Sequence, residues 1–445
     1  MKLLTQPLAS ALRGELTPPG DKSISHRALI LSALAKGESR IKGLLQSADV
    51  AATAAACQQL GAIIHSEGDG AEQWVHVCGT GEKGLKEPAQ TLDMGNSGTA
   101  MRLLAGVLAA QPFDSELIGD ASLNRRPMRR IIEPLSRMGA RIEATANGTA
   151  PLRISGNPDL RGIEYDLPVA SAQIKSCILL AGLFASGKTC ISEPGQSRDH
   201  TERMLPVFGV KLNSGCCVAG VSSLSAARIE VPADISSAAF FMVAAALIPG
   251  SQVLLRNVGV NSTRDGIIRV MQKMGADIVL ENQRQFGEEP VADIQVRYRS
   301  GLKGIDVPES WVPSLIDELP IIMILATGAQ GITRIRGAEE LRVKESDRIS
   351  VMAAGLEMLG IRLQEFEDGI DIHGGNLGSG EVDGAGDHRC AMSFCVAGQV
   401  ATGPVTVDGA SHIDTSYPEF VQHLQSLGGE VRAELKSDGI DSKHA

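Results

Sequence analysis

The sequence predicts an α/β protein of two similar lobes, with helices inside and sheets outside. Three observations lead there. At 445 residues the chain is too long for one ordinary core, so two or three domains are expected. A short pattern recurs six times: a helical segment ends in Leu, Met or Phe, then Gly, then a strand-like stretch. The copies are "QQLGAIIH" (58–65), "SRMGARIEA" (136–144), "PVFGVKLN" (206–213), "QKMGADIVL" (272–280), "EMLGIRLQE" (357–365) and "QSLGGEVRA" (425–433). Each copy is also preceded by a nearly all-apolar helix, a turn and a strand, as in "RALILSALAKGESRIKGL" and "AAFFMVAAALIPGSQVLLRNV". A helix apolar on most sides is a buried one. Each unit therefore carries one buried and one half-exposed helix, and six units divide into three plus three.

The glycines of the repeat, Gly61, Gly139, Gly209, Gly275, Gly360 and Gly428, fit the position just past a helix end, where the backbone turns left-handed. The helices before them are amphipathic. Met128, Ile131, Ile132 and Leu135 follow the helical period, as do Ile267, Val270, Met271 and Met274, and Ile349, Met352, Ala353 and Leu356. The second lobe is expected to begin near "IEVPADISSAAFF", where Pro232 breaks a strand, and the first near "TPPGDKS". The strand-like leader before Pro18 is assigned to the last units. The lobes are then 1–20 plus 232–445, and 21–231. The chain crosses between them twice, with the stretch "PGDKSISHR" (19–27) on one crossing, beside a cleft suited to a ligand.

Hydrophobic residues make up 43%, charged residues 21% and aromatics 3%, so an aliphatic, globular core is expected. The net charge of -10 argues against a general nucleic-acid binder and leaves room for a local basic pocket. The eight cysteines show no CxxC and no zinc spacing, so no metal is expected and the thiols read as reduced and packed in a cytosolic core. The vicinal Cys216 and Cys217 read as strand or turn. The N-terminus has no sustained apolar region of the signal-peptide kind, and the run from Ala238 to Ile248 is too short to span a bilayer. A cytoplasmic protein without membrane contact is expected.

Polar residues gather at the starts of the apolar helices. "PGDKSISHR" brings Lys22, Ser23 and Arg27 together. "DMGNSGTAMRLL" (93–104) opens a helix at Gly98 after small residues that let an anion approach free backbone N–H groups. "SLNRRPMRR" (122–130) clusters four arginines around Pro127, read as the first helical position, with one arginine free for a phosphate. "PVASAQIKSCILL" supplies Ser171, Gln173 and Lys175, and "EPGQSRDHTERML" supplies Ser197, Arg198, Asp199 and His200, where Asp199 or Thr201 also suits a helix cap. "WVPSLIDELPIIMIL" sets Asp317 at the edge of an apolar helix, where desolvation raises a carboxylate pKa and suits a general base. "LRVKESDRIS" packs Lys344, Glu345 and Arg348, with Lys344 and Arg348 one helical turn apart, and "GDHRCAMSF" adds Arg389. Such cations converging on a cleft favour substrates rich in phosphate and carboxylate, with Asp317 and Glu345 as proton-transfer groups. There is no Walker A loop and no GxGxxG after a strand, so no nucleotide cofactor is indicated.

At these motifs the chain resembles the 5-enolpyruvylshikimate-3-phosphate synthase family of enolpyruvyl transferases, along almost its whole length. "PGDKSISHRALIL", "GNSGTAMRLL", "GDASLNRRPM", "SAQIKS", "RDHTE", "LRVKESDRI" and "DHRCAMSF" carry the resemblance in the family order. It implies two lobes of three βαβαββ units each, an inside-out α/β barrel, and no cofactor. It implies transfer of the enolpyruvyl group of phosphoenolpyruvate to the 5-hydroxyl of shikimate 3-phosphate by a monomer. Lys22, Ser23, Arg27, Ser171, Ala172, Gln173, Arg198, Asp317 and Lys344 would contact shikimate 3-phosphate. Lys22, Gly98, Arg126, Gln173, Arg348 and Arg389 would hold phosphoenolpyruvate. Asp317, Glu345 and Lys22 would be catalytic, with Asp317 taking the hydroxyl proton and Glu345 serving the methylene carbon.

Two departures mark this chain. The motifs resemble the glyphosate-tolerant branch, yet Gly98 stands where tolerant members often carry Ala, and Thr415 stands where the other branch places a phosphate-binding lysine. Two rival readings differ in kind. One is the sister transferase acting on UDP-N-acetylglucosamine, which uses a loop cysteine and an early Lys-Asn pair; here the early pair is Lys22-Ser23. The other is a non-catalytic repeat scaffold for small anions, which has no need of Asp317 and Glu345.

Overall fold

A computed structural model describes residues 1–70, 73–81, 84–213, 216–220 and 223–433. Among the described residues lie twelve α-helices: α1 (Lys22–Leu34), α2 (Ala48–Gln59), α3 (Gly98–Leu108), α4 (Arg129–Arg137), α5 (Ala172–Gly182), α6 (His200–Val207), α7 (Ile235–Leu247), α8 (Gly266–Met274), α9 (Leu319–Thr327), α10 (Arg348–Met358), α11 (His388–Val400) and α12 (Phe420–Ser426). The odd-numbered helices are buried almost throughout; in α7 every residue but Leu247 is buried. The even-numbered ones bury one face, as in α4, where Ile131, Pro134 and Leu135 face inward and the arginines outward. Around them stand six sheets of three or four strands. The six repeat glycines all have φ between 85 and 104° and end the even-numbered helices. A side chain there would be strained, so the Leu/Met/Phe-Gly pattern is a backbone requirement.

Two separate hydrophobic cores fill the two lobes. One runs from Ile24 to Val231. The other joins Leu3, Leu12 and Leu16 to residues between Ala233 and Val431. The leader explains this. Leu3–Thr5 is inserted between Val405–Val407 and Val431–Ala433, antiparallel to both. Arg13–Leu16 pairs in parallel with Gln252–Leu255. The two crossings lie side by side: the Asp21 amide donates to the Pro232 carbonyl at 2.8 Å, and the Asp234 amide donates to the Pro19 carbonyl at 2.8 Å.

Three local expectations need correction. Lys344 is not on a helix with Arg348; α10 begins at Arg348, after a 3-10 turn over Glu339–Val343. Pro127 is not the first helical residue, because α4 begins at Arg129 behind Met128. The thiols are not all free: Cys190 and Cys217 face each other on adjacent antiparallel strands and are joined as a disulfide, while six cysteines remain free. Among the described residues no helix is long and apolar enough to cross a membrane.

Candidate active site

The starts of α1, α3, α5, α9, α10 and α11 converge on one cavity of about 230 Å³. Helix starts direct unpaired N–H groups and a partial positive charge at whatever lies before them, which favours anions. Short polar caps build these starts. The side chain of Asp21 accepts from the Ile24 amide at 2.9 Å, that of Ser97 from the Ala100 amide at 3.1 Å, and that of Asp387 from the Arg389 amide at 2.9 Å.

All fourteen residues to which the resemblance gives a substrate or catalytic role line this cavity, whereas Lys175, Asp199 and His200 do not. From the first lobe, Lys22 Nζ reaches Asp49 at 2.9 Å. Arg27 is held on three sides, donating to Thr201 Oγ1 at 2.8 Å, the Ser23 carbonyl at 2.8 Å and Ser176 Oγ at 2.7 Å. Ser171, Ala172 and Gln173 lie at the start of α5, where Gln173 donates to Thr99 Oγ1 at 3.0 Å and accepts from Arg102. Gly98 opens α3 beside Arg126. From the second lobe come Asp317, Lys344, Glu345, Arg348 and Arg389.

Ion pairs bridge the lobes across the cavity. Asp317 takes Arg198 at 2.5 Å from the first lobe, and Arg348 at 3.1 Å and Lys344 at 3.7 Å from its own. Glu345 takes Arg126 at 3.2 Å and Arg348 at 2.5 Å. Arg348 is 1% exposed and is fixed from behind by Asp387 at 2.7 Å. At the cavity mouth Arg130 forks onto Glu340 at 3.2 and 3.3 Å.

The electrostatics overturn one expectation. Burial by itself would raise the Asp317 pKa, but Lys344, Arg198, Arg389 and Arg348 outweigh it and hold the carboxyl well below the usual range. Burial likewise opposes ionisation of Glu345, and Arg348 and Arg126 override it and lower its pKa. Both groups are therefore carboxylates in this state, so a raised pKa at Asp317 is corrected. Burial lowers Lys344 despite Asp317. Burial, then Lys22 and Arg389, push His388 well down, so it stands neutral beside the carboxylates.

Other cavity residues went unassigned in the sequence. Asn96, which accepts from Arg126 at 2.6 Å, lies inside a motif already quoted, as do Thr99, Arg102, Arg130 and His388. Asp49, Arg264 and Glu340 carry no local signal, because the partners that place them lie elsewhere in the chain; Asp234 lies in a stretch already quoted, where it caps α7. Thr415 turns its hydroxyl to the His412 carbonyl at 2.7 Å, with His388 Nδ1 at 3.5 Å. Among the described residues no group of three or more His, Cys, Asp or Glu is placed to hold a metal ion.

Residues 8–424 match the family model of EPSP synthase (3-phosphoshikimate 1-carboxyvinyltransferase). The chain belongs to this family. It is 53% identical over 423 residues to the 3-phosphoshikimate 1-carboxyvinyltransferase of Methylococcus capsulatus, covering 94% of this chain and 96% of the relative. It is 53% identical over 434 residues to that of Legionella pneumophila subsp. pneumophila, covering 97% and 99%. The solved EPSP synthase from Acinetobacter baumannii superposes with a TM-score of 0.87 at 47% identity, over 98% of this chain and 100% of that one. The enolpyruvyl transferase NikO from Streptomyces tendae shares the fold, with a TM-score of 0.78 at 18% identity over 97% and 98% of the two chains. The EPSP synthase family fold has two lobes, and the two cores and six sheets of this member are those lobes.

Proposed function

We propose that this member of the EPSP synthase family transfers the enolpyruvyl group of phosphoenolpyruvate to the 5-hydroxyl of shikimate 3-phosphate. Phosphate leaves from a tetrahedral intermediate, and the product feeds aromatic amino acid (chorismate) biosynthesis. One observation carries the reading: two carboxylates, Asp317 and Glu345, stand in one cavity, each gripped by cations of both lobes. Addition to an enol needs a base at the attacking hydroxyl and an acid at the methylene carbon; elimination reverses the second transfer.

Asp317 is the base for the 5-hydroxyl, with Lys344 beside it. Lys22, Ser23, Arg27, Ser171, Ala172, Gln173 and Arg198 receive shikimate 3-phosphate, with the 3-phosphate at Ser171, Ala172 and Arg198. Arg348 and Arg389 fork onto the phosphoenolpyruvate carboxylate, and Lys22, Gly98, Arg126 and Gln173 face its phosphate. Binding then changes the proton chemistry. The substrate carboxylate and phosphate occupy Arg348 and Arg126, the two cations that keep Glu345 ionised. Burial then dominates, its pKa rises, and it holds the proton that passes to the methylene carbon. The emptied carboxylate later takes a methyl proton back as phosphate departs. Closure of one lobe on the other excludes water from this charged site. The reading carries with it a cytoplasmic, monomeric enzyme without a cofactor.

Phosphate release from shikimate 3-phosphate plus phosphoenolpyruvate tests it directly. Release only when UDP-N-acetylglucosamine replaces the shikimate ester would transfer the protein to the sister activity. No cysteine lines the cavity among the described residues, which favours the shikimate ester.

A further inference from the structure

Arg264 belongs to none of the motifs above. It precedes α8 and its side chain is 3% exposed. It sits where the two chain crossings meet, with its guanidinium between them. Nη1 donates to Asp21 Oδ2 at 2.9 Å, and Nη2 donates to Asp234 Oδ1 at 3.0 Å and Ser236 Oγ at 2.8 Å. Each acceptor has a second task. Asp21 caps α1, and Asp234 caps α7 by accepting from the Ser236 amide at 2.9 Å while its other oxygen lies 3.4 Å from the Lys22 amide. The Ser236 hydroxyl donates to Glu318, which is fully buried, stands 4.0 Å from Arg264 and adjoins Asp317 in the chain. One guanidinium thus ties together the starts of α1, α7 and α9. Lys22 and Asp317, from opposite lobes, are the chain neighbours of two of its partners.

Burying such a cluster costs desolvation, and an apolar replacement would serve stability as well. Its geometry does what an apolar cluster would not: it sets one lobe's helix start against the other's in a single register. Burial works against the charge on Arg264, but Asp21, Asp234, Glu318 and Asp317 raise its pKa above the ordinary value, so the charge persists.

We propose that Arg264 is a positioning residue for the transfer. It holds Lys22 of the first lobe at a fixed placement against Asp317 of the second when the cleft is closed. This rests on the function proposed above. Phosphate-release kinetics with both substrates, alongside thermal unfolding, test it in wild type, Arg264→Gln and Arg264→Lys. In Arg264→Gln, kcat is expected to fall about 100-fold, the scale of an ångström-sized misplacement. The KM for phosphoenolpyruvate is expected to rise far less than kcat falls, because Lys22 is one of several cations proposed to hold it and Arg348, Arg389 and Arg126 make no bond to Arg264. Arg264→Lys, which keeps the charge but loses the fork, is expected to recover about tenfold of the lost turnover. A wild-type kcat per folded molecule in Arg264→Gln overturns the proposal, as does an equal loss in both variants. If Arg264→Gln does not fold, Arg264→Lys decides by the same split. If neither folds, Arg264 is a folding residue and the positioning role is withdrawn. A wild-type protein that releases no phosphate removes the function itself, and this proposal with it.

Discussion

Glu345→Gln is expected to slow the enzyme and tighten its hold on phosphoenolpyruvate. Glu345 occupies Arg126 at 3.2 Å and Arg348 at 2.5 Å, the cations proposed to receive the substrate phosphate and carboxylate. The substrate must displace it from both. A hydrogen bond to a charged group contributes about 1.5–3 kcal/mol and one between neutral partners about 0.5–1.5. The amide keeps one acceptor oxygen where the carboxylate offered a separate oxygen to each arginine, so one of the two competing charged bonds is lost, about 2 kcal/mol. Since 1.4 kcal/mol is a factor of ten, the Kd for phosphoenolpyruvate should fall roughly 10- to 30-fold. Loss of the acid-base group should lower kcat by about 10²–10⁴. Calorimetric titration of the variant with phosphoenolpyruvate at saturating shikimate 3-phosphate measures the first effect, and steady-state phosphate release the second. A Kd unchanged or weakened in the variant would refute the competition, and a near-wild-type kcat would remove Glu345 from catalysis.

Gly98→Ala places a methyl carbon 3.1 Å from Arg102 Nη1 and 3.3 Å from Arg126 Nη1, so the arginines must give way toward the cavity. The KM for phosphoenolpyruvate should rise about tenfold with stability changed by under about 1 kcal/mol; the glyphosate inhibition constant should rise with it, and an unchanged constant counts against this position. Lys175→Met strips the 2%-exposed partner from Glu193 at 2.9 Å and Glu202 at 2.7 Å, leaving two half-buried carboxylates without their shared cation. Urea unfolding should show a loss of about 3–5 kcal/mol. Because Glu193 also receives the Ser197 hydroxyl at 2.5 Å, the KM for shikimate 3-phosphate should rise more than that for phosphoenolpyruvate. His26 is buried between Thr53 Oγ1 and Ser97 Oγ, and burial, with Lys22 and Arg27, lowers its pKa from 6.5 to about 3. Between those values the unfolded chain binds the extra proton, so stability falls as pH falls. The slope is about 1.4 kcal/mol per unit, or about 3 kcal/mol from pH 6.5 to 4.5. His26→Gln should lose that part of the slope in denaturant titrations at several pH values, and an identical slope would show that His26 is not the titrating group.

The helix starts were legible because capping is written within a few consecutive residues, as in Ser97-Gly98 and Asp387-His388-Arg389. The six glycines were legible because only a left-handed turn demands them at that spacing. What could not be read is contact across the cleft. Asp317 looked desolvated at the edge of its own helix, and the arginine that most closely pairs with it, Arg198, comes from the other lobe. Arg264 and Asp21 are 243 positions apart in the chain, so nothing local joins them. Cys190 and Cys217 read as ordinary core thiols because strand register, not spacing, brings them opposite each other.

The insertion of Leu3–Thr5 between Val405–Val407 and Val431–Ala433 dictates an order of assembly during synthesis. A nascent chain that has emerged as far as Val231 already holds every residue of one core, from Ile24 onward, and can collapse there. Its first strand has no partner on either side until Val405 appears, and gains the second only with Val431. Leu3–Thr5, made before either partner, is thus among the segments that settle late. A truncation that removes Val431–Ala433 leaves an open sheet edge along Leu3–Thr5.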